Sequence, residues 1–428
     1  MSVSTTNSTK PGRAAFIFVF VTVCLDMLAL GVMVPVLPKL LVQMKGGDIA
    51  SGAAISGIFG FTWAAMQFFF SPVLGGLSDR FGRRPVILLS NLGLGLDYIL
   101  MALAGSIPLL FLGRIISGIT TSSFPTACAY ISDITPPEKR AAKFGMLSAA
   151  FGLGFVVGPS VGGLLAGIDL RLPFWVAAGL SLINFVYGYF ILPESLQPEN
   201  RSKSLTWTGM HPLGSLKFVK SFPGLVGLTG VLFLFSLAHE ALPSVFVLYT
   251  DFRYGWSETK VGAVLGLVGI STTIVSAIIV GPVVKKLGER AALITGLCFG
   301  ITAFIIFAAS SSGTYFIVGV PVLALWGFIS PSLQSMMSQK VPASEQGQLQ
   351  GALSSLRGVG GMIGPLLFTQ IFAVAIGKGA TVQIPGAPYF FAAFLLVLSL
   401  LWAWRVTRST FLGTATSFGH SVEELAEE

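Results

Sequence analysis

The sequence predicts an all-α polytopic membrane protein, with twelve transmembrane helices arranged as two pseudo-symmetric six-helix halves. Three observations carry this reading. Of the 428 residues, 53% are hydrophobic and only 10% charged, where soluble domains carry about 25% charged residues. Twelve apolar runs are long enough to cross a bilayer, which takes about 20 residues per helix. Finally, a sequence repeat holds a single offset of 206 residues between the two halves.

The apolar runs fall at 14–38, 52–76, 85–104, 108–132, 143–168, 173–193, 223–249, 258–281, 291–311, 314–338, 348–376 and 387–407. Lys10 and Arg13 before the first run resemble the charged region of a signal peptide. Against that, Asp26 interrupts the run, the apolar character continues to Leu37, and no small-x-small cleavage site follows, so a first membrane helix is expected. The longest polar segment, with Lys203 and His211, separates the sixth and seventh runs. The expected organisation is a cytoplasmic tail (1–13), a six-helix half (14–193), a cytoplasmic linker (194–222), a second six-helix half (223–407) and a cytoplasmic tail (408–428). A cytoplasmic N-terminus puts 18 of the 26 Lys and Arg inside and 6 outside, with Arg114 and Arg357 left in the membrane, as the positive-inside rule favours. Asn7 and Asn200 begin glycosylation sequons that would then face the cytoplasm.

In the repeat, Gly75, Arg80, Phe81, Gly82 and Arg84 correspond to Gly281, Lys286, Leu287, Gly288 and Arg290. Pro125, Pro136, Gly145, Gly152, Gly154, Gly158 and Pro159 correspond in the same register to Pro331, Pro342, Gly351, Gly358, Gly360, Gly364 and Pro365. Two homologous halves related by an axis along the membrane normal can rock about a central site, so the repeat by itself implies alternating access.

Several function classes drop out. The net charge of +8 is spread over short loops and forms no basic face with interleaved aromatics, which sets nucleic acid aside. Cys24, Cys128 and Cys298 lie in apolar runs and read as small hydrophobes, neither a disulfide framework nor a metal site. Gly377-Lys378 lacks the following Ser or Thr of a phosphate-binding loop, so ATP is not the energy source. His239-Glu240 begins a zinc-protease pattern that Pro243 breaks, and the GLGLD stretch (93–97) carries an extra residue relative to an intramembrane aspartyl protease signature. No cofactor or metal is expected.

The segment 75–84 joins the second and third helices and crowds Asp79, Arg80, Arg83 and Arg84 together. Asp79 is placed to face the start of the eleventh helix near Gly347, whose free N–H groups attract an anion. Arg83 is placed to pair with Asp133, at the end of the fourth helix. These five charges are the candidate gating residues. Thr135, Pro136 and Glu138 read as a capping box opening the fifth helix. Within that helix Gly154, Gly158 and Gly162 at four-residue spacing favour backbone-to-backbone packing, while Pro159 bends it.

GGLSDRFGRRP (75–85) resembles the loop signature of the major facilitator superfamily, which implies the major facilitator fold. GLGFVVGPSVGG (152–163) resembles the signature of its drug/proton antiporter branch. Closer still, the chain resembles the tetracycline/proton antiporter family from Val23 to about Phe372, through LDMLALGVMVPVLP (25–38), DRFGRRPVILLS (79–90), LDYILMA (96–102), GRIISGIT (113–120), AYISDIT (129–135) and GPVVKKLGER (281–290). The resemblance implies functional charges at Asp26, Asp79, Arg83, Asp97, Arg114 and Asp133. The chain departs from that family at Gly300, where the family has an acidic residue, and at Thr272, where it has a histidine. At Glu240 and Arg357 the chain looks similar to the vertebrate hippocampus-abundant-transcript transporters. Pro193-Glu194-Ser195 is similar to the sugar-porter signature, but Leu196 and Gln197 break it.

The intramembrane charges can also be read without the family. Asp26, Asp97, Arg114, Glu240 and Arg357 lie within apolar spans, where each charge costs at least about 2.5–3.5 kcal/mol. At 1.5 Å per residue, Asp26 and Asp97 lie about 18 Å from the inner face and Arg114 about 9 Å below the outer one, nearly coincident depths in a core about 30 Å thick. Two carboxylates and one guanidinium at one level suit a proton acceptor; a structural salt bridge is the competing reading. Glu240 and Arg357, the deep charges of the second half, are expected to pair, with Glu240 replacing the carboxylate missing at Gly300. His239 is read as a polar residue lining a cavity and joins the proton and substrate candidates. The expected function is a monomeric secondary transporter in the lipid bilayer that exports a small-molecule substrate in exchange for protons. A proton-coupled uptake symporter is the alternative within transport; a membrane-embedded enzyme or non-transporting receptor is the alternative outside it.

Overall fold

The computed structural model describes residues 13–121, 123–202, 218–222, 224–342 and 345–424. Lys203, His211 and Lys217 of the linker and the first twelve residues lie outside them. Among the described residues, twelve helical spans are long and apolar enough to cross a membrane: Phe16–Met44, Ile49–Phe81, Arg83–Leu103, Ile107–Ile134, Lys143–Ala166, Leu172–Ile191, Leu225–Tyr254, Glu258–Leu287, Glu289–Ala309, Gly313–Ser338, Gln346–Ile376 and Ala387–Arg408. They are numbered first to twelfth below. Leu89, Leu103, Ile183, Phe190, Val318 and Leu401 all present large exposed apolar side chains, the surface a lipid-facing helix carries. The last helix continues to Glu424, beyond the span end expected at 407.

Four spans are broken, and each break lies just before a proline. A helical proline cannot donate to the carbonyl four residues back, and its ring crowds that carbonyl. In the first span the helix stops at Met33 and resumes at Leu37, with Pro38 following. The fourth stops at Thr120 and resumes at Ser123, ahead of Pro125. The seventh breaks at Glu240, between helices Leu225–His239 and Ala241–Tyr254, ahead of Pro243. The tenth tightens to a 3-10 turn at Leu325–Phe328, ahead of Pro331. The broken spans thus open each successive group of three helices. The eighth span widens into a π turn at Val275–Ile279 ahead of Pro282.

The described helices cluster into two compact units. One holds the first six spans with Trp256–Gly269; the other holds the seventh span, Ile270 onward and the remaining spans. In the first unit Gly154, Gly158 and Gly162 pack against the first span with no room for a side chain. A Cβ at Gly154 would lie 2.7 Å from the Cys24 carbonyl oxygen, and one at Gly158 2.7 Å from the Gly31 Cα. The opposite face of the same helix meets Trp256–Gly269, where a Cβ on Gly262 would lie 2.6 Å from the Pro159 carbonyl oxygen. Lys39, 8% exposed, fastens this segment: its Nζ donates to the Trp256 carbonyl at 2.9 Å and to Glu258 at 3.0 Å. Gly158→Leu therefore forces the first and fifth spans apart, at a cost of at least about 1–3 kcal/mol. The expected result is a clear drop in the melting midpoint of the purified protein; an unchanged midpoint would contradict the contact.

The second unit is held by an aromatic core. Phe307 stacks on Phe316 at 4.2 Å between ring centres, and Tyr389 packs against Tyr249 at 5.0 Å. The hydroxyl of Tyr249 donates to the Phe307 carbonyl at 2.7 Å, meeting the need of a buried phenol for a partner.

The fifth helix does not start at the expected capping box. The fifth helix begins at Pro137, with Pro136 as its N-cap and no side-chain cap hydrogen bond. Pro137 takes the first helical position, so Thr135 falls one residue too early to cap. The Glu138 side chain lies outside the described residues.

Candidate functional site

Three groups of the expected residues come together, each within one unit. The first is buried in the membrane part of the first unit. Asp97 is 1% exposed, Asp26 7% and Arg114 9%. The Arg114 charge acts on Asp97, and Asp26, Asp97 and Arg114 all act on the buried Tyr98. The Arg114 guanidinium lies over the Trp63 ring at 5.4 Å, a cation–π contact that gains strength away from water. Gly113 gives the carboxylate its space, because a Cβ there would lie 2.9 Å from Asp97 Oδ1. The Arg114 charge and the Ser117 hydroxyl act on the Asp97 carboxylate, whereas Arg114 Nε and Trp63 Nε1 have no hydrogen-bond partner among the described residues. Buried polar atoms without partners are costly, and Arg114 Nε and Trp63 Nε1 are two such donors beside the Asp97 carboxylate. Trp63 was not legible as a site residue, since an indole in an apolar run carries no distinguishing signal.

The second group surrounds the junction of the second and third spans. The expected ten-residue loop is a one-residue turn, for the second span is helical to Phe81 and the third starts at Arg83. Gly82 alone makes the turn, with φ of 108°, a value that L side chains rarely adopt. Gly288, its repeat mate, makes the equivalent turn at φ 80°. Arg83 Nη1 donates to Asp79, and its Nε donates to Asp133 at 3.3 Å, so the expected Arg83–Asp133 pair is formed. Arg84 donates to the Tyr189 carbonyl at 2.6 Å, whereas Arg80 is exposed and lies over the Phe81 ring. Asp133 also accepts from the Ser195 hydroxyl at 2.9 Å.

Sequence reasoning missed the residue that completes this junction. Glu194 accepts from the backbone N–H of Arg83 at 2.9 Å and of Arg84 at 3.3 Å, and from Ser195 and Leu196 N–H. It caps the third span from a segment 111 residues away in the chain, placing a negative charge at a helix N-terminus. The Pro-Glu-Ser run was the available signal. Glu194→Gln replaces one acceptor oxygen with an amide facing N–H donors, and is expected to cost about 1–3 kcal/mol. The check is the melting midpoint; an unchanged value would remove Glu194 from the junction.

The third group lies in the second unit. The seventh-span break leaves Glu240 half-buried at the turn and His239 exposed beside it. His239 stacks on Trp326 of the tenth-span break, at 5.0 Å between ring centres and 12° between planes. The expected Glu240–Arg357 ion pair is not formed among the described residues: the Glu240 carboxylate lies against Gly361 and its stem against Gly364, and Arg357 is exposed one turn earlier on the same helix. Gly300 also finds its reason here, because a Cβ would lie 2.9 Å from Leu396 Cδ1 and 3.5 Å from Trp326 Cε3.

Two pseudo-repeated helical units with broken spans and buried charges have the parts of a secondary transporter. The family model of the Major Facilitator Superfamily matches residues 19–365, and the chain belongs to that superfamily. Within it the chain is similar to the tetracycline resistance protein, class C, of Escherichia coli, with 38% identity over 84% of this chain and 90% of that protein. It is 36% identical to the class D protein of Salmonella ordonez over 83% and 89%. Among solved structures it resembles the human organic anion transporter MFSD10, with a TM-score of 0.67 and 25% identity over 92% and 99%. It is thus a multi-pass membrane transporter that handles a small molecule.

Proposed function

We propose that this protein exports a small amphipathic, drug-like molecule of the tetracycline type in exchange for protons, by alternating access, as a monomer with both termini and the linker in the cytoplasm. The observation that carries the reading is the Asp97 carboxylate, 1% exposed and answered by the Arg114 charge and the Ser117 hydroxyl. One group that takes either a proton or a donor on the substrate couples the two, because each then weakens binding of the other. One proton crossing one pH unit supplies about 1.4 kcal/mol, enough for about a tenfold substrate gradient. Asp26 and Arg114 hold the local charge balance. Asp79, Arg80, Arg83, Arg84 and Asp133 act in the inner gate, where Arg83 bonded to both Asp79 and Asp133 is the contact that opening changes. Gly154, Gly158, Pro159 and Gly162 provide the close-packed surface that such a motion needs.

The test is a compound panel headed by tetracycline in an efflux-deficient host, with and without a protonophore. Export that the protonophore stops supports the reading. Inward accumulation of the responsive compound would make the protein an uptake symporter, and export indifferent to the protonophore would remove proton coupling. Orientation is checked separately: single cysteines at positions 8, 205 and 418 are expected to resist impermeant thiol reagents in intact cells, and labelling of any one would overturn the topology.

A further inference from the structure

A proline-directed break in the seventh span and a second in the tenth converge within the second unit. The first presents His239 and Glu240, and the second presents Trp326. The indole is buried on its other sides, with Phe235 and Phe304 edge-on to it at 5.5 and 5.7 Å. His239 lies flat on the indole yet is itself exposed, so the stack ends in an accessible aromatic face at mid-span. The Glu240 carboxylate sits next to it with no hydrogen bond or ion pair among the described residues, over glycines that leave it space. Arg357 lies one turn from Gly361, about 6 Å along the helix, and its charge reaches His239. An anion and a cation thus flank one aromatic surface without neutralising each other.

We propose that the second unit holds a binding site for a flat aromatic zwitterion, with its rings on the His239–Trp326 stack, its amine at Glu240 and its acidic group at Arg357. Aromatic rings stack on such a face with a gain beyond buried area. Away from bulk water each charge-assisted hydrogen bond is about twice as strong as a neutral one. A purely cationic ligand leaves Arg357 unanswered, and a purely anionic one leaves Glu240 unanswered. The neutral, wedge-filled position at Gly300 fits this arrangement, since an acidic side chain there would meet Trp326 directly.

The inference names the substrate class for the export reading above, but it is tested by binding alone. Equilibrium binding of ciprofloxacin (zwitterion), its ethyl ester (cation) and nalidixic acid (anion) is measured on purified full-length protein, wild type, Glu240→Gln, Arg357→Gln and Trp326→Phe. Each variant is first shown to keep the wild-type melting midpoint; Trp326→Tyr replaces Trp326→Phe if needed. Ciprofloxacin is expected to bind at least tenfold more tightly than either singly charged compound. Glu240→Gln and Arg357→Gln should each weaken it at least tenfold, and only Glu240→Gln should weaken the ester. Absence of saturable ciprofloxacin binding to wild type, or equal affinity in all variants, overturns the site. A host panel that shows proton-driven export while these variants bind unchanged would overturn this site alone and leave the export reading standing.

Discussion

Asp97→Asn is expected to abolish proton-driven accumulation, with substrate-dependent proton flux in proteoliposomes falling at least a hundredfold, while downhill substrate exchange continues. Asparagine matches the shape of the aspartate, so the space beside Gly113 and the packing against Tyr98 are kept. What is lost is the ability to take and release a proton. In the native protein the Asp97 carboxylate is 1% exposed and faces the Arg114 charge, which places it at the centre of the buried group. A variant that folds, exchanges substrate and fails only in coupling identifies the residue with the coupling step; one that pumps normally shows that the proton travels elsewhere.

Arg114→Leu carries the second large effect, and it falls on stability before transport. The guanidinium is the positive charge acting on Asp97 in this buried group. Removing one member of a buried charge group leaves the others uncompensated, typically at about 3–5 kcal/mol. The expected result is poor recovery of folded protein and a strongly lowered melting midpoint. Arg114→Leu combined with Asp97→Asn should recover part of that loss, because the uncompensated charge is removed with its partner. Effects that simply add would show that the two residues act independently.

The twelve spans were legible because lipid demands long apolar helices and little else satisfies the backbone there. The repeat was legible because glycines and prolines at helix junctions tolerate few replacements, as the positive φ at Gly82 and Gly288 shows. Asp26, Asp97 and Arg114 could be grouped by depth alone, since an intramembrane charge has few places to go. The same logic failed for Glu240 and Arg357. Equal depth says nothing about rotation around a helix axis, and the break at Glu240 turns its carboxylate toward Gly361. Glu194 and Trp326 escaped for a different reason: each acts through contacts made by distant parts of the chain, and nothing local to either residue announces the partner. Thr135 misled because two consecutive prolines allowed two helix starts, and the second was used.

The most direct test loads proteoliposomes with the responsive compound and a pH dye, imposes a pH gradient, and follows both solutes in wild type and Asp97→Asn. Coupled antiport predicts that substrate and protons move in opposite directions in wild type, in fixed proportion, and that the proton signal disappears in the variant. Substrate movement in wild type with no accompanying proton flux, or proton flux that survives in Asp97→Asn, would contradict it.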